Sequence, residues 1–328
     1  MNKTKNQISV QDLYALSKIN GLGKKSLLKI INRLESINDL ISDKHSSEIS
    51  DLIVSPQKNK IIQAIKDHFF EYQEMAQNEI EQIKERGLDI ISYLDEFYPI
   101  GYKQINDPPI FLYCKGNKDL LKYQKNVAIV GTRECTEYGK KIAQSTARYF
   151  AEKGFNIVSG LAMGIDTAAH QGALSVNGYT TAVLVDVENI YPDKNTGLAK
   201  NILENKGLLL SENPPNTYVG KHQFVLRDRL QSALSLAVFP IETDVKGGTM
   251  HTVKYAAEQN KKIYCPNLQL MSDYPLNNKV SRGILKLIND RIATPYTKDT
   301  YDTIIKSITK ETHREESKTP SAQMSMGF

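Results

Sequence analysis

Two periodicities divide the chain. From residue 8 to about 85, apolar residues recur at three- and four-residue spacing, as in "VQDLYALSKINGLGKKSLLKIINRLESINDLI", a pattern that predicts amphipathic helices. A long helix is expected over about 57–86, with Gly87 as its stop. From residue 88 the texture changes to short β-rich runs: "DIISYL", "IFLYCKG", "NVAIVGT", "FNIVSG", "TTAVLV", "GLLLSE", "SLAVFPIE" and "KKIYCPN". Helical stretches are expected between them over 138–153, 166–176, 196–205, 227–234 and 249–259. Runs without polar alternation suit strands covered on both faces. Their alternation with helices predicts a doubly wound parallel sheet.

The expected organisation is therefore an N-terminal all-α domain over 1–87, a Rossmann-like α/β domain over 88–307, and a tail over 308–328. The tail contains "KETHREESKTPSAQMSMGF", lacks apolar periodicity and reads as disordered. The first periodicity breaks at "NGLGKKS", the Gly-x-Gly turn of a helix-hairpin-helix or SAM-like domain. Such a turn can aim backbone N–H groups, with Lys24 and Lys25, at a phosphate. It can equally be a packing connection.

Composition narrows the function classes. The 328-residue chain has no apolar run of about 18 residues, so no membrane span is expected. Cys114, Cys135 and Cys265 form no CxxC pair, which argues against a disulfide framework or a metal site and suits a reducing cytoplasm. The net charge of +5 is compatible with a polyanionic partner. With no Trp, 17 Tyr and 9 Phe, Tyr is the main candidate for base stacking.

Ligands of open α/β sheets bind beyond the carboxyl ends of the strands, and three loops there are distinctive. In "VAIVGTRECTEYGKK", Gly131, Thr132 and Arg133 offer close backbone approach, a hydroxyl and a planar guanidinium for phosphate oxygens. This is not a GxGxxG fingerprint, and no cofactor is expected. In "NIVSGLAMGIDTAAHQGAL", Ser159, Gly160 and Gly164 precede a helix, and Asp166 reads either as its N-cap or as a pocket acid. His170 reads as a packed helix residue. In "FPIETDVKGGTMHTVKYAAEQ", Gly247, Gly248, Thr249 and Thr252 make a plausible anion nest, and Glu242 reads as a strand-end charge or a catalytic carboxylate. Between these loops, "GKHQFVLRDRLQSALS" sets Lys221, His222, Arg227 and Arg229 around Phe224, a composition suited to single-stranded nucleic acid. Arg227 and Arg229 are two residues apart and cannot share a helix face, so one could reach a ligand while the other ties the segment down.

These segments, with "DPPIFLYCKGN", "IYPDKN", "LLLSENPP", "GGTMHT" and "SRGILKLI", occur in the order seen in the DprA/Smf family of DNA-processing proteins, which the chain resembles from about 88 to 292. The resemblance implies a non-enzymatic, cytoplasmic, homodimeric protein that binds single-stranded DNA and hands it to the recombinase RecA. It assigns strand binding to Gly131-Thr132-Arg133, to Ser159, Gly160 and Gly164, to Lys221, Phe224, Arg227 and Arg229, and to Gly247, Gly248, Thr249 and Thr252, with Asp166 matching the acid of the Ser-Gly-x-x-x-Gly-x-Asp segment. The chain departs from the family at Asp228, where Asn is usual, at Val225, at Gln231-Ser232-Ala233 and at Asp193. A C-terminal winged helix is not expected. These departures leave two alternatives: a component of a phage-defence or toxin–antitoxin system with another partner, or a nucleotide-binding or nucleotide-cleaving protein.

Overall fold

In the computed structural model, residues 8–34, 36–41, 50–271 and 274–316 are described. They fall into two compact units, residues 1–98 with 107–115, and residues 99–106 with 116–328.

The first unit is built on four helices: α1 (Val10–Lys18), α2 (Lys24–Arg33), α3 (Ile37–Ile41) and α4 (Lys58–Glu85). Ser9 and Asp12 form a reciprocal capping box at the start of α1, so two N–H groups of its first turn are satisfied by side chains. The long α4 buries Ile61, Ile65, Phe69, Ala76, Ile80 and Ile83 along one stripe, and Gly87 ends it at φ +74°. In the Gly-x-Gly turn Gly23 opens α2 without a side-chain cap. Lys24 is turned to the Asp107 carboxylate at 2.6 Å.

The first two predicted strands, β1 (Asp89–Ser92) and β2 (Phe111–Gly116), pair antiparallel, Asp89 opposite Cys114. They cluster with the helices, not with the α/β unit to which the alternation assigns them. The Tyr14 ring of α1 meets Phe111 of β2 edge-on at 5.2 Å.

In the second unit the strands are β3 (Asn126–Val130), β4 (Asn156–Ser159), β5 (Thr180–Val183), β6 (Leu208–Ser211), β7 (Ala237–Pro240), β8 (Lys262–Pro266) and β9 (Thr294–Tyr296). All pair parallel, in the order β6-β5-β4-β3-β7-β8-β9. The chain thus runs outward from β3 to β6, returns to the other side of β3 as β7, and continues to β9. This is the doubly wound, Rossmann-like architecture that the pattern predicts, with its topological switch point between β3 and β7. The helices of this unit are α5 (Ile100–Lys103), which precedes its strands, the crossover helices α6 (Glu137–Glu152), α7 (Ile165–Leu174), α8 (Thr196–Glu204), α9 (Lys221–Leu234), α10 (Thr249–Glu258) and α11 (Lys279–Asn289), and α12 (Tyr301–Glu316), which follows β9.

Every residue of β3, β4, β5, β6 and β7 is buried. A core of Val127, Ile129, Phe150, Ile157 and Phe239 joins β3, β4 and β7 to the helices. Each large apolar side chain removed from water there contributes about 1.5–3 kcal/mol.

Two expected segments differ in extent, and α5, α11, β9 and the start of α12 lie where no element is expected. Helix α9 begins at Lys221, six residues before the expected 227, so the basic stretch is helical throughout. Helix α12 runs to Glu316 and so occupies 308–316, the first part of the expected tail; residues 317–328 lie outside the described residues. Tyr301, Ile304 and Ile308 are buried at helical spacing, and Thr146 Oγ1 hydrogen-bonds the Tyr301 and Tyr296 hydroxyls at 2.8 and 3.1 Å. Among the described residues no helix is long and apolar enough to cross a membrane.

Candidate functional site

A cavity of about 450 Å³ opens beyond the carboxyl ends of β3 and β7, the position that the switch point favours. Three segments build most of it, and the start of α7 adds Asp166 to its interior. The loop after β3 brings Gly131, Thr132 and Arg133, the start of α10 brings Gly247, Gly248, Thr249 and Thr252, and one face of α9 brings Lys221, Phe224, Asp228 and Gln231.

Backbone bonds fix the first loop. Thr132 N–H donates to the Glu242 carbonyl at 2.8 Å, and the Thr132 carbonyl accepts from Ile165 N–H at 3.2 Å. Gly164 permits this approach. Its φ is +82°, and a Cβ there would stand 2.5 Å from the carbonyl oxygens of Thr132 and Arg133. The next helix is held by a buried acid: Glu242 accepts from Thr136 N–H at 2.8 Å, Thr136 Oγ1 at 2.6 Å and the Tyr274 hydroxyl at 2.5 Å. Thr136 in turn caps α6 by accepting Gly139 N–H. Glu242 is thus a buried brace, not a member of the cavity lining.

The rim is cationic and aromatic. Arg133 is exposed, and its guanidinium lies 5.4 Å from the centre of the Phe224 ring, close enough for a cation–π contact. Tyr191 lies 5.5 Å from the same ring. Lys221 opens α9. Opposite, α10 starts at Gly248 without a side-chain cap. Such an N-terminus directs backbone N–H groups and the positive end of the helix dipole outward.

The interior is different. Arg227 is buried against Gly160, where a Cβ would fall 1.7 Å from Nη1. Its Nη1 donates to the Val183 carbonyl at 3.0 Å, its Nε is buried without a hydrogen-bond partner, and Nε lies 3.6 Å from Asp228 Oδ1. Asp166 accepts from the N–H groups of Gly160 at 3.1 Å and Ala162 at 3.4 Å. Burial raises its pKa above the ordinary carboxylate value, opposed by Arg227 and these N–H groups. Burial also pushes Asp228 up to about 6, against the pull of Arg227 and with the repulsion of Asp166.

The structure brings together at the cavity Gly131, Thr132, Arg133, Asp166, Lys221, Phe224, Arg227, Gly247, Gly248, Thr249 and Thr252. It does not bring Ser159, Gly160, Gly164 or Arg229 to its lining. Ser159 Oγ donates to the Ile129 carbonyl at 2.7 Å, Gly160 seats Arg227, and Gly164 forms the crossing described above. Arg229 is buried in a two-pronged ion pair with Glu212, Nη2 to Oε2 at 2.6 Å. The N-cap reading of Asp166 is corrected: Gly164 occupies the N-cap of α7, and the Asp166 carboxylate reaches back to the strand end, not to its own first turn. His170 is fully buried, with Nδ1 2.7 Å from Thr180 Oγ1, and burial beside Arg227 lowers its pKa to about 3. Gln231 and His251 also line the cavity without having been marked as binding residues. For Gln231 a signal existed: positions 221, 224, 228 and 231 share a face once the stretch is read as a helix. For His251 no sequence signal was available. Among the described residues no group of three His, Cys, Asp or Glu side chains is placed to hold a metal.

Residues 89–309, more than half of the chain, match the family model of DNA recombination-mediator protein A. The chain belongs to this family. Among curated members of the DNA recombination-mediator family it is similar to the DNA processing protein DprA of Bacillus subtilis, 34% identical over 223 residues, covering 64% of this chain and 73% of the relative. It is also similar to DprA of Streptococcus pneumoniae, 38% identical over 174 residues, covering 53% and 61%. The match to protein Smf of Escherichia coli is 35% identical over 170 residues and covers 52% and 45%. The solved structure of the S. pneumoniae family member superposes with a TM-score of 0.70 at 28% identity, covering 89% of this chain and 95% of that one. That of DNA processing protein A from Helicobacter pylori, a protein described by its single-stranded DNA binding mode, gives 0.57 at 30% identity, covering 68% and 96%.

Proposed function

We propose that this protein binds single-stranded DNA through its phosphates at the cavity rim and presents the strand to a RecA-type recombinase, as a homodimer and without catalysing a reaction on it. One observation carries the reading. Arg133, Lys221 and the uncapped start of α10 converge on one opening beside Phe224 and Tyr191. Cations and helix N–H groups hold phosphates whatever the sequence, and the adjacent rings offer a face to the bases. The single-stranded DNA binding of the H. pylori relative supports it.

Asp228 in the cavity motivates a second reading, in which the same fold serves a defence system with a different partner. A recombinase-loading assay separates the two: retained strand binding with no loading favours the second.

The test of strand binding is titration of a fluorescent oligothymidine at 50 and 250 mM salt. Affinity should fall steeply with salt, because bound strands release counterions. Arg133→Ala should weaken binding about tenfold and reduce the salt slope by about 1. No affinity at low salt, or an unchanged Arg133→Ala protein, would refute the proposal.

A further inference from the structure

The cavity has two ends of opposite chemistry. Its rim carries Arg133 and Lys221, whereas its interior carries Asp166 and Asp228. Phosphate is attracted to the first and repelled by the second, so whatever enters deeply must be a hydrogen-bond donor attached to a phosphate that stays outside. A nucleotide has that polarity.

The donor pattern can be read from the acceptors. Asp166 is already engaged by two backbone N–H groups. Asp228 accepts one N–H, from Gln231 Nε2 to Oδ1 at 3.0 Å. Among the described residues no hydrogen-bond donor reaches its Oδ2. Gln231, 2% exposed, has its Oε1 buried without a hydrogen-bond partner. The Asp228 carboxylate, one oxygen held by Gln231, therefore offers neighbouring acceptors to a cavity large enough for a base and its sugar. Adenine and cytosine each present one amine, and thymine presents a single ring N–H. Guanine alone sets a ring N–H beside an amine, three hydrogens on one edge. A carboxylate receives the first two in parallel, as it receives the fork of a guanidinium.

We infer that the cavity holds one guanine of a bound single strand, its N1–H and N2 amine on the Asp228 carboxylate that Gln231 positions, with the adjoining phosphate at the Arg133 and Gly247–Thr249 rim. This rests on the strand-binding reading and deepens it: a strand held by its backbone is read at one position.

The test uses the full chain and a seven-residue oligothymidine carrying at its centre dT, dG, dA, dC or deoxyinosine, which lacks the N2 amine. By fluorescence anisotropy at pH 7.5 and fixed salt, dG should bind at least fivefold more tightly than dT, with deoxyinosine between them. In Asp228→Asn the introduced amide opposes N1–H, so the dG preference should fall to within twofold while the all-thymine strand binds at least as well as before. If the parent protein binds all five strands within twofold, the guanine assignment is overturned and strand binding stands. If it binds none of them, both readings fall.

Discussion

Asp228→Asn should stabilise the protein near neutral pH and do little in acid. The Asp228 side chain is 15% exposed and lies beside Asp166, with Arg227 Nε its nearest cationic atom at 3.6 Å. Burial first, then Asp166, raises its pKa from 3.8 to about 6. The folded protein therefore holds this proton more tightly than the unfolded chain. Above pH 6 both states are ionised, and the carboxylate costs the fold about 3 kcal/mol, from a shift of about two pKa units at about 1.4 kcal/mol each. As pH falls through 6 the folded group takes up its proton and the cost shrinks; below 3.8 it is gone. Asn never ionises and can still accept from Gln231 Nε2. Urea unfolding followed by circular dichroism, parent against variant, should show a gain of about 1–3 kcal/mol at pH 7.5 that falls below about 1 kcal/mol at pH 4.5. No gain at pH 7.5, or an equal gain at both, would refute the electrostatic account of the cavity.

Other substitutions probe the supports. Gly160→Ala would push a methyl group into the Arg227 guanidinium, so we expect a loss of about 1–3 kcal/mol and weaker strand binding, checked by melting and anisotropy. Glu212→Gln removes the carboxylate from the buried Arg229 pair; unfolding should be easier by about 3 kcal/mol, while the fraction that remains folded keeps its affinity. His170 acts with the opposite pH sign to Asp228. Its folded pKa of about 3 lies below the ordinary 6.5, so its contribution is complete above pH 6.5 and is lost as pH falls toward 3. His170→Asn should flatten that acid loss, read as a smaller difference in urea midpoint between pH 7 and pH 4.5.

The parallel sheet was legible because β3, β4, β5 and β6 are short, carry no charge, show no strict polar alternation, and are separated by helical spacing. The convergence of the Gly131 and Gly247 loops followed from the rule that such sheets bind ligands at their switch point. Several roles were not legible. Ser159, Gly160 and Gly164 sit in the same loop texture as true lining residues, and only three-dimensional packing shows that they support neighbours instead. Arg227 and Arg229 could be told apart as facing differently, but the partner of Arg229 is Glu212, seventeen residues away on another segment. Glu242 was ambiguous for the same reason: its donors come from Thr136 and Tyr274, both distant in sequence. The start of α9 was missed because its first turn is "KHQF", rich in charge and without an apolar stripe. The extent of α12 was missed because its apolar residues end at Ile308 while the helix continues.

The placement of the rim loops on β3 and β7 has a mechanical consequence. These are neighbouring central strands, paired from Val127 with Ala237 to Val130 with Pro240, and the Thr132-to-Glu242 bond continues their ladder into the opening. A load applied to both loops along the strand axis pulls these two parallel strands the same way, so it passes as shear to their outer pairings, β3 with β4 and β7 with β8, whose ladder bonds resist together instead of parting one at a time. A filament tugged by a motor or an assembling polymer would accordingly meet its stiffest anchorage at the middle of the sheet, while the peripheral β6 and β9 carry little of the tension.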